Sequence, residues 1–193
     1  MRQTMLLLAF VLFQGMLLAQ PAARLNPELK VGTTFVYELN AQGQAFPMTL
    51  KISAIGDQGL VFDYDIAGQM IGKFTNTDAN LNKGQGLNWD QPTPGEERKL
   101  PDDQTIAMMS RPFLAELKKN KSAKYDGVDL TLKPIKDGEQ ILAGGKEVDA
   151  LYVESGDGVT KYWILNNEKF PVLLKVEGLP SGITMTLKEI MNP

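Results

Sequence analysis

The chain has 193 residues, 43% hydrophobic and 22% charged, which suits one domain with a buried core and excludes disorder over most of its length. With 20 Lys and Arg against 23 Asp and Glu, the formal net charge of −3 supplies no attraction for nucleic acid or an anionic membrane. Histidine and cysteine are both absent, which excludes Ser-His-Asp and Cys-His nucleophiles, disulfides and the commonest zinc ligands.

The first residues have the layout of a secretory signal peptide. Arg2 is basic, Met5–Leu18 is almost wholly apolar, and Ala19 is small enough to sit at a cleavage site. The apolar run is short for a transmembrane helix, which needs about 20 residues. Residues 1–19 are therefore expected to be removed, leaving a single β-rich domain over residues 20–193. Loss of Arg2 leaves 19 basic against 23 acidic residues, a net charge of −4. Without a cysteine there is no site for a bacterial lipid anchor, so the expected product is exported and soluble, in a periplasm or outside the cell.

Chain order then gives the elements. "LNPELKVG" predicts one helical turn, with Asn26 as cap, Pro27 in the first turn and Gly32 at the end. Period-two runs follow. Phe35, Tyr37 and Leu39 share a face, as do Met48, Leu50 and Ile52, and then Leu60, Phe62, Tyr64 and Ile66. Turn residues at Ala41–Gly43 and Gly56–Gly59 connect these as hairpins, and one wet face argues for an antiparallel meander. Met70–Asn76 predicts a fourth strand. Residues 76–103 are rich in Asn, Gly, Pro and Asp; a loop of that length predicts a functional flap or hidden short strands.

"SRPFLAELKKNK" predicts the one clear helix, Arg111 to Lys121, with Ser110 as N-cap and a narrow stripe of Phe113, Leu114 and Leu117. Its lysines fall at the negative end of the helix dipole. Further strands are expected at Val128–Pro134, Glu147–Ser155, Thr160–Asn166, Lys169–Glu177 and Ile183–Ile190. "KYWILNNEKFPVLLKVEG" is the clearest hairpin. Apolar residues on both faces of Tyr162–Leu165 require cover on both sides of that strand, by the core and by the helix, the long loop or a partner. Nine or more strands with one apolar face must roll into a barrel or half-barrel or fold into a sandwich. The expected fold is mainly β: one curved antiparallel sheet, a half-barrel or open barrel, with the inserted helix covering its concave side.

The chemical signals are weak. Asp63 and Asp65 lie two apart on a polar strand face, and Asp102 and Asp103 are adjacent, but two carboxyls across a cleft are what a glycosidase needs. "NTDANLNKG" spaces Asn76, Asp78, Asn80 and Asn82 at alternate positions, as calcium loops do, yet the sixth and twelfth places counted from Asp78 hold Lys83 and Trp89 instead of Gly and Glu. Asx residues also favour turns. No catalytic residue, metal site or cofactor is assigned. Trp89 has three readings: a lid over an apolar pocket, a sugar-stacking platform, or a pin that holds the loop to the core.

"YWIL", the short turn, "FPVLLKVEG" and the closing "ITMTLKEI", with "LPDDQTIAMMSRPFLAELKKNK" in mid-chain, resemble exported bacterial proteins of the DUF3108-like group. In presumed fold they are similar to LolA/LolB-type periplasmic carriers. The resemblance implies a curved antiparallel sheet in the cell envelope and carries no catalytic residues. It covers about half of residues 20–193, and its motifs are structural.

The expected function is a non-enzymatic envelope protein that binds an apolar or amphipathic ligand such as a lipid, or an envelope protein partner, on its concave face. It has no nucleic-acid partner and no stable membrane insertion after cleavage. The ligand-binding candidates are Tyr37, Leu50, Phe62, Tyr64, Trp89, Phe113 and Leu117. Two alternatives remain open. One is a protein-interaction module with a filled core. The other is a sugar-binding module or carboxylate-dependent glycosidase, with Asp102, Asp103 or Asp63 beside Trp89 in a groove.

Overall fold

The computed structural model describes residues 23–57 and 59–193; the expected signal segment, 1–19, lies outside the described residues. Four strands run in succession: β1 (Thr34–Ala41), β2 (Gln44–Gly56), β3 (Gly59–Ile66) and β4 (Met70–Asn76). A short helix, α1 (Asp78–Lys83), and three short strands follow: β5 (Gly86–Leu87), β6 (Glu97–Lys99) and β7 (Gln104–Thr105). Helix α2 (Arg111–Asn120) precedes β8 (Ser122–Tyr125) and β9 (Val128–Lys133). The small hairpin β10 (Leu142–Ala143) and β11 (Lys146–Glu147) then leads into β12 (Ala150–Ser155), β13 (Lys161–Leu165), β14 (Leu173–Glu177) and β15 (Thr184–Met191).

Eleven strands form one open, mostly antiparallel sheet, as the periodicity predicts, and their order is β6-β4-β3-β2-β1-β15-β14-β13-β12-β9-β8. Every neighbouring pair is antiparallel except β4 and β6, which run parallel. The sheet does not close, because β6 and β8 are free edges.

The alternation sets one face inward. Phe62 opposes Phe74, Leu39 opposes Met185, and Tyr162 opposes Val176, so apolar side chains meet across neighbouring strands along the inner face. All of these inward residues belong to one core, and each fully buried Leu or Phe within it is worth about 1.5–3 kcal/mol. The sheet curls around that core. Asn76 of β4 holds the Ile106 backbone through two hydrogen bonds, Nδ2 to the carbonyl at 3.0 Å and Oδ1 from the N–H at 2.9 Å. The neighbouring Thr105 hydroxyl lies 2.7 Å from the Tyr125 hydroxyl on β8. Strands from opposite halves of the sheet thus reach a single dipeptide.

Helix α2 packs on β8 and β9 from inside the curl, and its Phe113 meets Tyr125 edge-on at 4.9 Å between ring centres. Phe113, Leu114 and Leu117 are all buried, the stripe the spacing predicts. Ser110 occupies the N-cap backbone position, but its side chain makes no capping bond. Lys121 is the left-handed cap, with φ 61°, so the helix ends at Asn120.

Three expectations are corrected. "LNPELKVG" forms no helical turn. Leu25 bridges in parallel to Val148, and the Asn26 amide donates to the Asn166 carbonyl and to Asp149 instead of capping. There are two described helices, not one. The alternating Asn residues build α1: Thr77 and Asn80 form a reciprocal capping box. The second cover over Tyr162–Leu165 is not α2 or the long loop. Trp163 and Tyr152, whose rings meet at a tilt of 33°, point to the convex side, where segment 134–149 lies: β10 rests on β15, and Glu139 adds its charge to the surroundings of the Tyr152 hydroxyl.

Candidate functional site

The inner face is filled at one end and hollow at the other. At the α2 end, Leu117, Leu114, Tyr125 and Tyr162 are buried in the core, and the hollow beside α2 is a surface groove bounded by Arg111, Leu114, Ala115, Lys118, Lys119 and Glu168. At the other end a cavity of about 480 Å³ opens between β1–β3 and the chain that follows α1. Its floor is Leu39, Met48, Leu50, Ile66 and Phe74, all on the inward faces that alternation predicts. Its far wall is Leu173, Ile183 and Met185. Its mouth lies at one end of the sheet, where the β1–β2 turn (Gln42), the β3–β4 turn (Gln69) and the β14–β15 loop (Ser181) meet.

Residues 87–92 form the lid, with Leu87 and Trp89 on the cavity and Pro92 near its rim. Strand β5 pairs in parallel with β7, and the Leu87 N–H donates to the Asp126 carboxylate at 2.8 Å. Burial raises the Asp126 carboxyl above its usual range, and the Leu87 bond opposes that shift. Asn88 continues this root, its N–H donating to the Thr105 carbonyl at 2.7 Å and its side-chain amide to Gln104 at 3.0 Å, and the rest of the lid is held by Arg98. Parallel pairing of β6 to β4 sets Arg98 opposite Phe74, on the inward side at the sheet edge. Its five N–H groups are all used. Nε and Nη2 fork onto Glu96 at 2.7 and 2.9 Å; Nη1 donates to Asn88 Oδ1 and the Asp90 carbonyl; Nη2 also reaches the Gln91 carbonyl at 3.0 Å.

The fork continues to the sheet. Glu96 accepts from the Thr93 N–H at 2.9 Å, and the Thr93 carbonyl accepts from the Tyr64 hydroxyl, also at 2.9 Å. The Arg98 bond, then the Thr93 bond, hold the Glu96 carboxyl down to about 2. Gly72 makes room for this link. It faces Tyr64 across β3–β4, and a Cβ there would overlap the Tyr64 hydroxyl and the Glu96 carbonyl.

Of the seven residues singled out by sequence, Leu50 and Trp89 line the cavity; Trp89 remains 38% exposed, at the boundary between hollow and solvent. Tyr64 stands behind the wall, stacked on the lining Phe74 at 4.1 Å. Tyr37 is buried beside the hollow and donates to the Leu173 carbonyl at 2.8 Å; burial pushes its hydroxyl far above the usual tyrosine range. Phe62 is packed edge-on to Phe35, and Phe113 and Leu117 lie in the filled end under α2, so these three do not line the hollow. Sequence reasoning missed Arg98, for which "GEERKL" carries no distinguishing signal, and Leu173, which sits at the irregular entry to its strand.

The acidic groups do not gather at Trp89. Asp63 is on the outward face of β3, between the inward Phe62 and Tyr64, and Asp102 pairs with Lys83 beside α1. Asp78 and Asn82, from the alternating run, bind Arg111 of α2 at 2.8 and 3.1 Å, while Asn76 and Asn80 are buried and bonded to the Ile106 and Pro101 backbone. Among the described residues no three His, Cys, Asp or Glu converge on a common point, and no helix is long and apolar enough to cross a membrane. No family model, curated protein or solved structure matches this chain.

Proposed function

We propose that this is an exported, non-enzymatic binding protein that holds an apolar or amphipathic small molecule in the hollow beneath Trp89. The observation that carries the reading is the cavity itself. At about 480 Å³ it falls within the ~300–1,000 Å³ of ligand pockets, and its floor and far wall are entirely apolar. A domain with a filled core would put the same side chains against one another, as it does under α2. The lid that Arg98 helps to hold covers one side of the hollow while the mouth and an edge of Trp89 stay in solvent, which suits a molecule that is apolar at one end and wet at the other. Export is the companion proposal, supported by the basic Arg2, the apolar run Met5–Leu18 and the small Ala19. A cell-envelope setting and lipid as the ligand class accord with the resemblance to LolA/LolB-type carriers.

The test is binding of an uncharged fluorescent probe, N-phenyl-1-naphthylamine, to the purified protein and to a Leu39→Trp variant. Leu39 is a half-buried residue of the lining near the mouth, so indole there fills space without opening the core. Saturable enhancement in the parent, lost in a variant of unchanged circular dichroism and melting, is expected. Absence of enhancement in the parent, or equal enhancement in both, defeats the reading.

A further inference from the structure

We infer that the hollow selects an uncharged, single-chain amphiphile, such as a monoacylglycerol or fatty alcohol, and discriminates against the fatty-acid anion; this rests on the reading of the hollow as a ligand site. The argument begins with charge. No lysine or arginine lines the cavity, and its one ionisable lining residue is an acid, Asp90, at the lid. The guanidinium closest to the lid, Arg98, has no donor to give: each of its five N–H groups is bonded, and Glu96 balances its charge. A carboxylate at this mouth would lose part of its hydration, face Asp90 and find no cation, whereas pockets built for anions supply one.

The polar groups at the rim suit hydroxyls. Among the described residues the side-chain amides of Gln42, Gln69 and Gln91 have no hydrogen-bond partner, and Ser181 adds a hydroxyl. Amides offer both donors and acceptors, the match for an alcohol or glycerol head. Size limits the rest. At ~30 Å³ for each water-sized group, the hollow takes about sixteen such groups, one medium chain with a small head.

Displacement of N-phenyl-1-naphthylamine by three dodecyl compounds separates the possibilities: glyceryl monolaurate, dodecanol and laurate, at pH 8 where laurate is ionised. Glyceryl monolaurate and dodecanol are expected to bind roughly tenfold tighter than laurate. Gln69→Lys places a cation at the rim on an exposed turn, and should raise laurate affinity relative to glyceryl monolaurate, narrowing or inverting the preference. Laurate equal to or tighter than glyceryl monolaurate in the parent protein overturns the charge assignment and leaves the hollow a ligand site. Probe binding that no dodecyl compound displaces overturns the single-chain assignment. If the probe itself fails to bind, both this inference and the proposed function fall.

Discussion

Arg98 shows how much of a site can rest on one side chain. Its bonds to Asn88, Asp90 and Gln91 hold the lid, and its fork onto Glu96 ties that lid through Thr93 to Tyr64 on the sheet. Arg98→Met keeps most of the length and removes the donors, so residues 88–93 should exchange amide hydrogens faster while the core strands keep their protection. Acid should act on the same link. The Glu96 carboxyl is held below its ordinary value of 4.5, at about 2. A depressed carboxyl stabilises the folded lid above its unfolded value and loses that contribution as pH falls through the folded one. Lid opening should therefore grow between about pH 4.5 and pH 2, seen as a change in Trp89 emission, and the Arg98→Met variant should show no such transition. Opening at an unchanged pH in that variant would remove Glu96 from the account.

At the scale of elements, the inner face divides between a plug and a lid. Helix α2 is the plug: Leu117 is fully buried and sits at the end of the curl away from the cavity. Leu117→Ala should cost about 2–5 kcal/mol, as other buried leucine truncations do, measured as a shift in denaturant midpoint. Probe affinity in the folded fraction should stay the same. A change in affinity larger than the change in stability would make α2 a gate instead. Beyond its packing on β8 and β9, α2 is tied by Arg111 to Asp78 and Asn82 of α1 and to the Lys169 carbonyl, and by Lys118 to Glu168.

For the whole molecule, the decisive pairing is β1 with β15, Thr34 opposite Met191, which joins the first strand of the chain to its last. Four strands of the N-terminal half pair only through β1 to the strands of the C-terminal half. Closing so long a loop is slow and entropically costly, and the halves are not expected to be stable apart. Removing residues 184–193 should abolish the cooperative melt by circular dichroism and expose the apolar inner face to a dye such as ANS. A truncated chain that still melts cooperatively would mean that β1 and β14 can pair directly.

The local content of the chain determined its strands. Alternation at Phe35, Tyr37 and Leu39, and at Met48, Leu50 and Ile52, assigns an inward face because side chains on a strand repeat every two residues, and Phe113, Leu114 and Leu117 assign the buried stripe of α2 in the same way. Those patterns say which face is buried, but not what lies against it. Whether Tyr37 or Leu50 touches a cavity depends on how far the sheet curls and on where residues 77–109 come to rest, and neither is encoded in a period. "LNPELKVG" departs from its local pattern for a related reason: Asn26 can cap a helix, but a partner 140 residues away competes for its side-chain amide. The alternating asparagines were legible as turn formers, while the burial of Asn76 and Asn80 against distant backbone was not. Arg98 is the extreme case. Most of its partners are backbone carbonyls or side chains of an aperiodic segment, brought together only when β6 pairs with β4, so the lid and the hollow beneath it exist only in the tertiary structure.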